Sequence, residues 1–366
     1  MASLKIASYN LNNLFERAAV MELEGFSAKG KEVLKDLARL NELLENESYD
    51  GTVGTEITAL LEKYFLAQTG EKWFTINEVR EKLFSRKRDG SGLTLKARGR
   101  DAWVGWVELT RQKTNGKSVD NTGRVISAVN ADIMCTVEVD SRTALLHFND
   151  TILKQAATPY RHVMVIDGND ERGIDVGVLS QFPIESITSH VDDVAVSATG
   201  RQQKIFSRDC PEYTINIGNG QYIYLLCNHL KSKGYGAPAE SNRKRKLQAD
   251  RVTELLSAYD MANDFVVVAG DFNDTPDSAP LANLINYPGL HDVLSWTGFN
   301  GPRWTYHSGN DQIDYLLVST ALFNKITAAD IERRGIHKRG NATFPEVDSK
   351  VTQASDHACV WATFAL

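Results

Sequence analysis

The sequence predicts a layered α/β protein, and three stretches predict it. Val266–Pro276, VVVAGDFNDTP, opens on an unbroken run of β-branched and small apolar residues, the pattern of a strand buried on both faces. KEVLKDLARLNELLEN places leucines at 34, 37, 40, 43 and 44, the stripe of an amphipathic helix. Ile215–Ile217 and Tyr222–Leu226 flank Gly218-Asn219-Gly220, a strong hairpin signal. At 366 residues the chain can bury a large core as one big domain or two smaller ones.

Taken in order, LKIASY at Leu4–Tyr9 reads as a first strand ending in the polar cluster Asn10, Asn12 and Asn13. From Arg17 to about Ser118 the character changes, and residues 17–118 read as an insertion or cap subdomain, largely helical, within a single domain spanning 1–366. The leucine stripe falls here, followed by expected short helices at Glu56–Phe65 and Asn77–Phe84. RKRDGSGLTLKARGRDAWVGWVELTRQKTNGK then alternates around glycines, suggesting a hairpin that carries Trp103 and Trp106. The insertion leaves the first core strand and returns before the next core helix, so it is expected to emerge near the strand edge that carries the site. Beyond it, Asn121–Val129 reads as a helix and Ala131–Val137 as a buried strand ending at Glu138. Gly173–Leu179 is a further strand, and the hairpin's second strand delivers Asn228 and His229. Arg243–Ala258 is a helix, Ile313–Val318 a strand carrying Asp314, and Ser355-Asp356-His357 opens the last strand.

Composition narrows the setting. The formal net charge of −6 disfavours a protein that coats nucleic acid by bulk attraction. Positive charge is nevertheless clustered at Arg86–Arg88, Lys96–Arg100, Arg243–Lys246 and Arg333–Arg339, which suits transient contact with a polyanion. Cys135, Cys210, Cys227 and Cys359 are widely spaced without a CxxC pair, favouring free thiols over disulfides or a zinc site. No apolar run is long enough to cross a bilayer. The N-terminus reads at once as a strand rather than a signal peptide, so a cytoplasmic location is expected.

The chemistry lies where the strands end or begin. Asn10, Glu138, His229, Asp271 with Asn273, Asp314, and Asp356 with His357 all fall at such positions. Strand ends in layered α/β proteins converge on one edge, where sites are built. Hard oxygen ligands without a Cys/His cluster indicate Mg²⁺ or Mn²⁺. Two histidines beside such a site can clamp an anion or move a proton. Together they suggest metal-assisted attack of water on a phosphate ester.

LKIASYN, VEV, RGIDVGVLSQFPI, NHLKSKG, GDFND, QIDYLLVS and SDHACV, in this order, resemble the endonuclease/exonuclease/phosphatase (deoxyribonuclease I-like) superfamily over about residues 1–16 and 119–366. The resemblance implies a four-layer α/β/β/α sandwich of two mixed β-sheets. It also implies that Glu138 is the principal metal ligand, with Asn10 and Asp356 close to the ion. Asp271 matches the carboxylate that orients or deprotonates water, and Asn273 the amide that holds a phosphate oxygen. Asp314 and His357 resemble an Asp–His pair, and His229 the second histidine of the deoxyribonuclease I-like branch. Arg208 resembles a phosphate-contacting arginine, although its position equally suits an ordinary surface arginine. Asp175 is a candidate partner for His229 or a substrate contact.

Several positions depart from the family pattern. Val137 stands where many members carry Gln before the metal-binding Glu, and Asn12 where the abasic-site branch carries Asp. His229 is usually absent from that branch, so deoxyribonuclease-like or general phosphodiesterase activity is the better match. Trp103, Trp106 and Trp304 read as packing residues. His147 reads as a helix-face residue; His162, His190, His291, His307 and His337 lie outside the motifs and are taken as non-catalytic. The expected activity is that of a divalent-metal-dependent nuclease acting on DNA or RNA. A phosphatase or phosphodiesterase on a small or lipid phosphate is the alternative, and an inactive binding module on the same fold lies outside that class.

Overall fold

The computed structural model describes residues 3–14, 28–66, 73–110, 116–196, 200–234, 236–307 and 311–366. Asn13 of the first polar cluster has no described side chain, and the insertion's entry at Arg17 lies outside these residues, while its expected end at Ser118 falls inside the helix Gly116–Val129. The chain divides into two compact units, one of Met1–Phe15 with Thr114–Leu366, the other of Glu16–Lys113.

The elements run β1 (Ser3–Leu14), α1 (Ala28–Leu44), α2 (Gly51–Phe65), β2 (Phe74–Arg80), β3 (Phe84–Arg86), β4 (Leu93–Leu95), β5 (Val104–Leu109) and α3 (Gly116–Val129). Then come β6 (Ile133–Val139), α4 (Arg142–Phe148), β7 (His162–Ile166), β8 (Asp175–Ser180), β9 (Ile184–Thr188), β10 (Val194–Val196) and β11 (Gln202–Lys204). The chain continues through β12 (Glu212–Gly218), β13 (Gln221–His229), α5 (Pro238–Leu256), β14 (Phe265–Asp271), α6 (Ala282–Ile285) and β15 (Leu290–Asp292). It ends with β16 (Asp314–Ser319), α7 (Thr320–Phe323), β17 (Ile326–Glu332) and β18 (Cys359–Ala365).

The larger unit is a sandwich of two six-stranded sheets, ordered β17-β18-β1-β6-β8-β7 and β15-β16-β14-β13-β12-β9. Each is mixed: β1 runs parallel to β6 and antiparallel to β18, and β13 parallel to β14 while β14 and β16 are antiparallel. Strand alternation makes the four layers. Ile6, Val137 and Val178 of the first sheet share one core with Leu225, Val267 and Leu316 of the second. Ala7, next to Ile6, and Met134, between the core residues Ile133 and Cys135, turn outward onto Val125 and Ile126 of α3 and Leu145 of α4. Val266, Val268 and Leu317 turn the other way, onto Ala249, Val252 and Leu256 of α5. A run such as VVVA is continuous because both faces of its strand are covered. The four cysteines are buried free thiols, and no helix among the described residues is long and apolar enough to cross a membrane.

The Glu16–Lys113 unit has its own apolar core, in which Leu40, Leu43 and Leu44 of α1 meet Ile57 and Leu61 of α2 and Phe74, Trp103 and Val107 of the strand half. Asn77–Phe84 is a correction. It is not helical; its first half, Asn77–Arg80, lies in β2, which pairs antiparallel with β5, and Phe84 begins β3. A period-2 set, Phe74 and Ile76 on β2 with Val107 opposite, faces the core, and cross-strand pairing overrides a pattern that was ambiguous over so short a stretch. The hairpin after it is β3–β4 and does not carry the tryptophans. Trp103 precedes β5 and is buried, with its indole N–H on Tyr49 Oη at 3.1 Å, while Trp106 lies on the open face of β5.

Candidate active site

Three adjacent strands of the second sheet bring the first group together by register alone. His229 on β13 is the Cα partner of Asp271 on β14, and Asp271 is the partner of Asp314 on β16. Gly270 makes the close pairing possible: at φ 136°, a Cβ there would sit 1.8 Å from the carbonyl oxygen of Asn228. Asp271 Oδ1 accepts the backbone N–H of Asn273 at 2.8 Å, and its Oδ2 the Asn273 side-chain amide at 3.2 Å. Asn273 is held at φ 55°, a left-handed conformation that Asn tolerates better than most residues.

The first sheet contributes from the facing edge. Asn10 on β1 is fully buried and its amide donates to Glu138 Oε1 at 3.3 Å and to Asp271 Oδ2 at 3.2 Å, so it links the two sheets at the site. Glu138 sits at φ 61°, where the β6–β8 pairing shifts register between Val137 and Val139. A left-handed non-glycine inside a strand is costly and occurs where the side chain must be re-aimed.

His357 completes the group. Its Nδ1 lies 2.9 Å from Asp314 Oδ2, and its Nε2 3.9 Å from Asp271 Oδ2 and from Asp356 Oδ1. His229 Nε2 is 3.6 Å from Asp271 Oδ2, and its Nδ1 has no hydrogen-bond partner among the described residues. The two imidazoles are driven apart electrostatically. Burial opposes charge on His357, but Asp314 and Asp271 outweigh it and hold the ring well above the ordinary histidine range. Burial, with the nearby Arg208 and His357 charges, pushes His229 well below that range. Burial raises Asp271 to about 7, with His357 pulling down and Asp314 pushing up. Burial and Asp356 raise Glu138 too, against His357 and Asn10.

Arg208 is buried and pairs through Nε with Asp170 Oδ2 at 3.0 Å, so the reading of an ordinary surface arginine is corrected. Asp175 is buried at the start of β8, accepts the N–H of Gly168 at 2.9 Å, and makes no ion pair with His229 among the described residues. Burial lifts it to about 8, with Asp167 adding to the rise. Asp356 stands at the rim, 3.6 Å from His307 Nδ1 through Oδ2. His307 therefore borders the group, although it lies outside every motif.

Sequence reasoning missed two positioning hydroxyls. Thr305 Oγ1 accepts the backbone N–H groups of Ile313 and Asp314, both at 3.0 Å, and fixes the start of β16. Ser355 donates to the Asn10 carbonyl at 2.8 Å and accepts the His357 N–H at 3.0 Å. Ser355 lay within SDH and was legible there; Thr305 carried no signal.

Oxygen donors fit a hard cation. Glu138, Asn10 and Asp356 offer them, and Glu138 and Asp271 are carboxyls whose burial raises them, so a bound cation would favour their ionised form. Among the described residues, Asp271, Asp314 and His357 also bring one candidate ligand atom each to within 4.8 Å of one another, but there the His357 Nδ1 is already engaged by Asp314.

A sandwich of two mixed sheets under helices, with carboxylates and histidines gathered at one strand edge, defines an α/β/β/α sandwich with a polar site at that edge. The chain belongs to the Endonuclease/Exonuclease/phosphatase family, whose sequence profile matches residues 110–357. Members of this family are typically hydrolases of phosphoester bonds and generally depend on a divalent metal. Similar solved structures include a truncated Caenorhabditis elegans TDP2, 19% identical over 68% of this chain and 90% of that one, with a TM-score of 0.44. The human Nocturnin catalytic domain is 17% identical over 69% and 88%, with a TM-score of 0.48. An endonuclease/exonuclease/phosphatase from Bacteroides vulgatus is 14% identical over 68% and 90%, with a TM-score of 0.49. No curated protein sequence matches the chain.

Proposed function

We propose that this chain is a divalent-metal-dependent phosphodiesterase and acts as a nuclease on DNA, RNA or both. The observation that carries the reading is Asp271, a buried carboxylate held by Asn10 and Asn273 between a neutral and a charged histidine. Groups whose environments drive their protonation states apart are the mark of an acid–base site.

Asp271, lifted to about 7, accepts a proton from water at neutral pH when it is ionised. His357, kept cationic by Asp314, stabilises negative charge on the phosphoryl oxygens or donates a proton to the leaving oxygen. His229, kept neutral, presents its Nε2 3.6 Å from Asp271 Oδ2, where it can hydrogen-bond a substrate oxygen seated against Asp271. Asn273 holds a phosphate oxygen through its amide, and Arg208 adds a fixed positive charge. Glu138, with Asn10 and Asp356, would hold a divalent cation, which would supply Lewis-acid stabilisation of the developing charge. Asp175, protonated at neutral pH, is assigned to substrate contact.

The test is turnover of bis-p-nitrophenyl phosphate, p-nitrophenyl phosphate, single- and double-stranded DNA, and RNA, each with Mg²⁺, Mn²⁺ or EDTA. Cleavage of the diester and of at least one polymer, lost in EDTA and restored by metal, is expected. Full activity in EDTA contradicts the mechanism. Turnover of the monoester alone points to a phosphatase.

A further inference from the structure

The strand half of the Glu16–Lys113 unit carries a surface that the hydrolytic site does not use. On the β2–β5 ribbon, Phe74, Ile76 and Val107 face the unit's core, so their alternates face outward. Asn77 pairs with Trp106, and Arg80 with Val104, which places all four on the open face. Trp106 is 51% exposed, Val104 39%, and Val79, at the register shift between Glu78 and Arg80, 70%.

Three features say what covers this face. Glu108 accepts the Trp106 indole N–H at 3.2 Å and the Asn77 amide at 2.9 Å. The indole is thus tethered by its edge, which leaves its π faces out of the bond. Arg80 and Lys82 are exposed and have no carboxylate partner among the described residues. From Trp73 to Thr110 there are eight basic residues against five acidic, within a chain whose net charge is −6. An edge-tethered aromatic on the same face as the exposed Arg80, with the exposed Lys82 just past the strand end, is complementary to a chain of phosphates and stackable bases. A duplex keeps its bases stacked inside and offers this surface only phosphate.

We propose that the open β2–β5 face binds single-stranded nucleic acid, with a base stacked on Trp106 and phosphates near Arg80 and Lys82. For its purpose the proposal rests on the nuclease reading; its test does not. The full chain is titrated into a fluorescein-labelled oligothymidylate 20-mer in EDTA, so that no strand is cut, and anisotropy is followed at several salt concentrations. Trp106→Ala is expected to weaken binding at least about fivefold, the lower end for one lost base stack. Trp106→Phe should retain most of the affinity. Arg80→Ala and Lys82→Ala should each reduce the slope of log affinity against log salt by about 0.7, one phosphate contact on a single strand.

Wild-type affinity left unchanged by Trp106→Ala overturns the proposal, as does no binding by the wild type. Sedimentation showing a dimer that Trp106→Ala dissolves also overturns it, because the face then pairs copies of the chain. Bis-p-nitrophenyl phosphate turnover, measured in parallel with metal, reports on the nuclease reading alone. Binding without turnover would remove that reading and leave the surface standing.

Discussion

The sandwich and the Glu16–Lys113 unit treat burial in opposite ways. In the sandwich, Asn10, Asp175, His229, Asp271, Asp314 and His357 lie buried among strands that are otherwise apolar. In the smaller unit the core is leucine, isoleucine, valine and aromatic residues, and its charged pairs, such as Arg39 with Glu56 and Lys63 with Asp36, lie at the surface. Exposed pairs of that kind contribute little because water and salt screen them, so packing carries the smaller unit. Buried ionisable groups cost stability unless compensated, and they persist where charge must be controlled. The contrast separates a region built for chemistry from one built as a packed support with an open face.

Two substitutions of buried rings test that contrast. Trp103→Ala removes the largest buried side chain of the smaller unit and should destabilise it by about 3–5 kcal/mol. Hydrogen exchange across 28–110 should show the loss of protection. His229→Ala should instead lower bis-p-nitrophenyl phosphate turnover by about a hundredfold, the scale of a lost acid–base group. Its Tm should change little, because His229 is neutral and its Nδ1 has no partner to strand. If His229→Ala unfolds the protein, the histidine belongs to the packing and the contrast fails.

A smaller effect probes the cost of burying charge in the sandwich. Asp175 is raised to about 8 in the fold from about 3.9 in an unfolded chain. The folded state therefore holds the extra proton between those values, and the stability tied to Asp175 falls as pH rises from about 4 to 8. Asp175→Asn keeps the acceptor for the Gly168 N–H and cannot ionise. Its Tm relative to wild type should rise with pH across that window. A flat difference would mean that Asp175 is charged in the fold.

Legibility in the sequence also divides along this line. Both faces of the core strands are covered, so Val266–Ala269 stood out as a continuous run, and each candidate site residue except Arg208 fell at a strand end or in a motif beside one. The site was legible because register places neighbouring ends side by side, as with His229, Asp271 and Asp314. The Asn77–Phe84 stretch was misread because β2 is half exposed and its charged residues mimic a helical spacing. Edge strands such as β9 and β17, short or interrupted in their alternation, gave no signal. Thr305 acts only through a backbone contact to β16, and no residue pattern encodes that. The charge states of the two histidines depend on three-dimensional neighbours and were likewise out of reach.

The central claim is that Asp271, at the junction of both sheets, is the group through which the site hydrolyses a phosphodiester. Asp271→Asn preserves the volume and an acceptor oxygen for the Asn273 N–H while removing the charge. Turnover of bis-p-nitrophenyl phosphate by this variant, in saturating Mg²⁺ or Mn²⁺, tests the claim most directly. The predicted result is a loss of at least about a hundredfold in kcat with an unchanged fold. Turnover within a few-fold of wild type would contradict it.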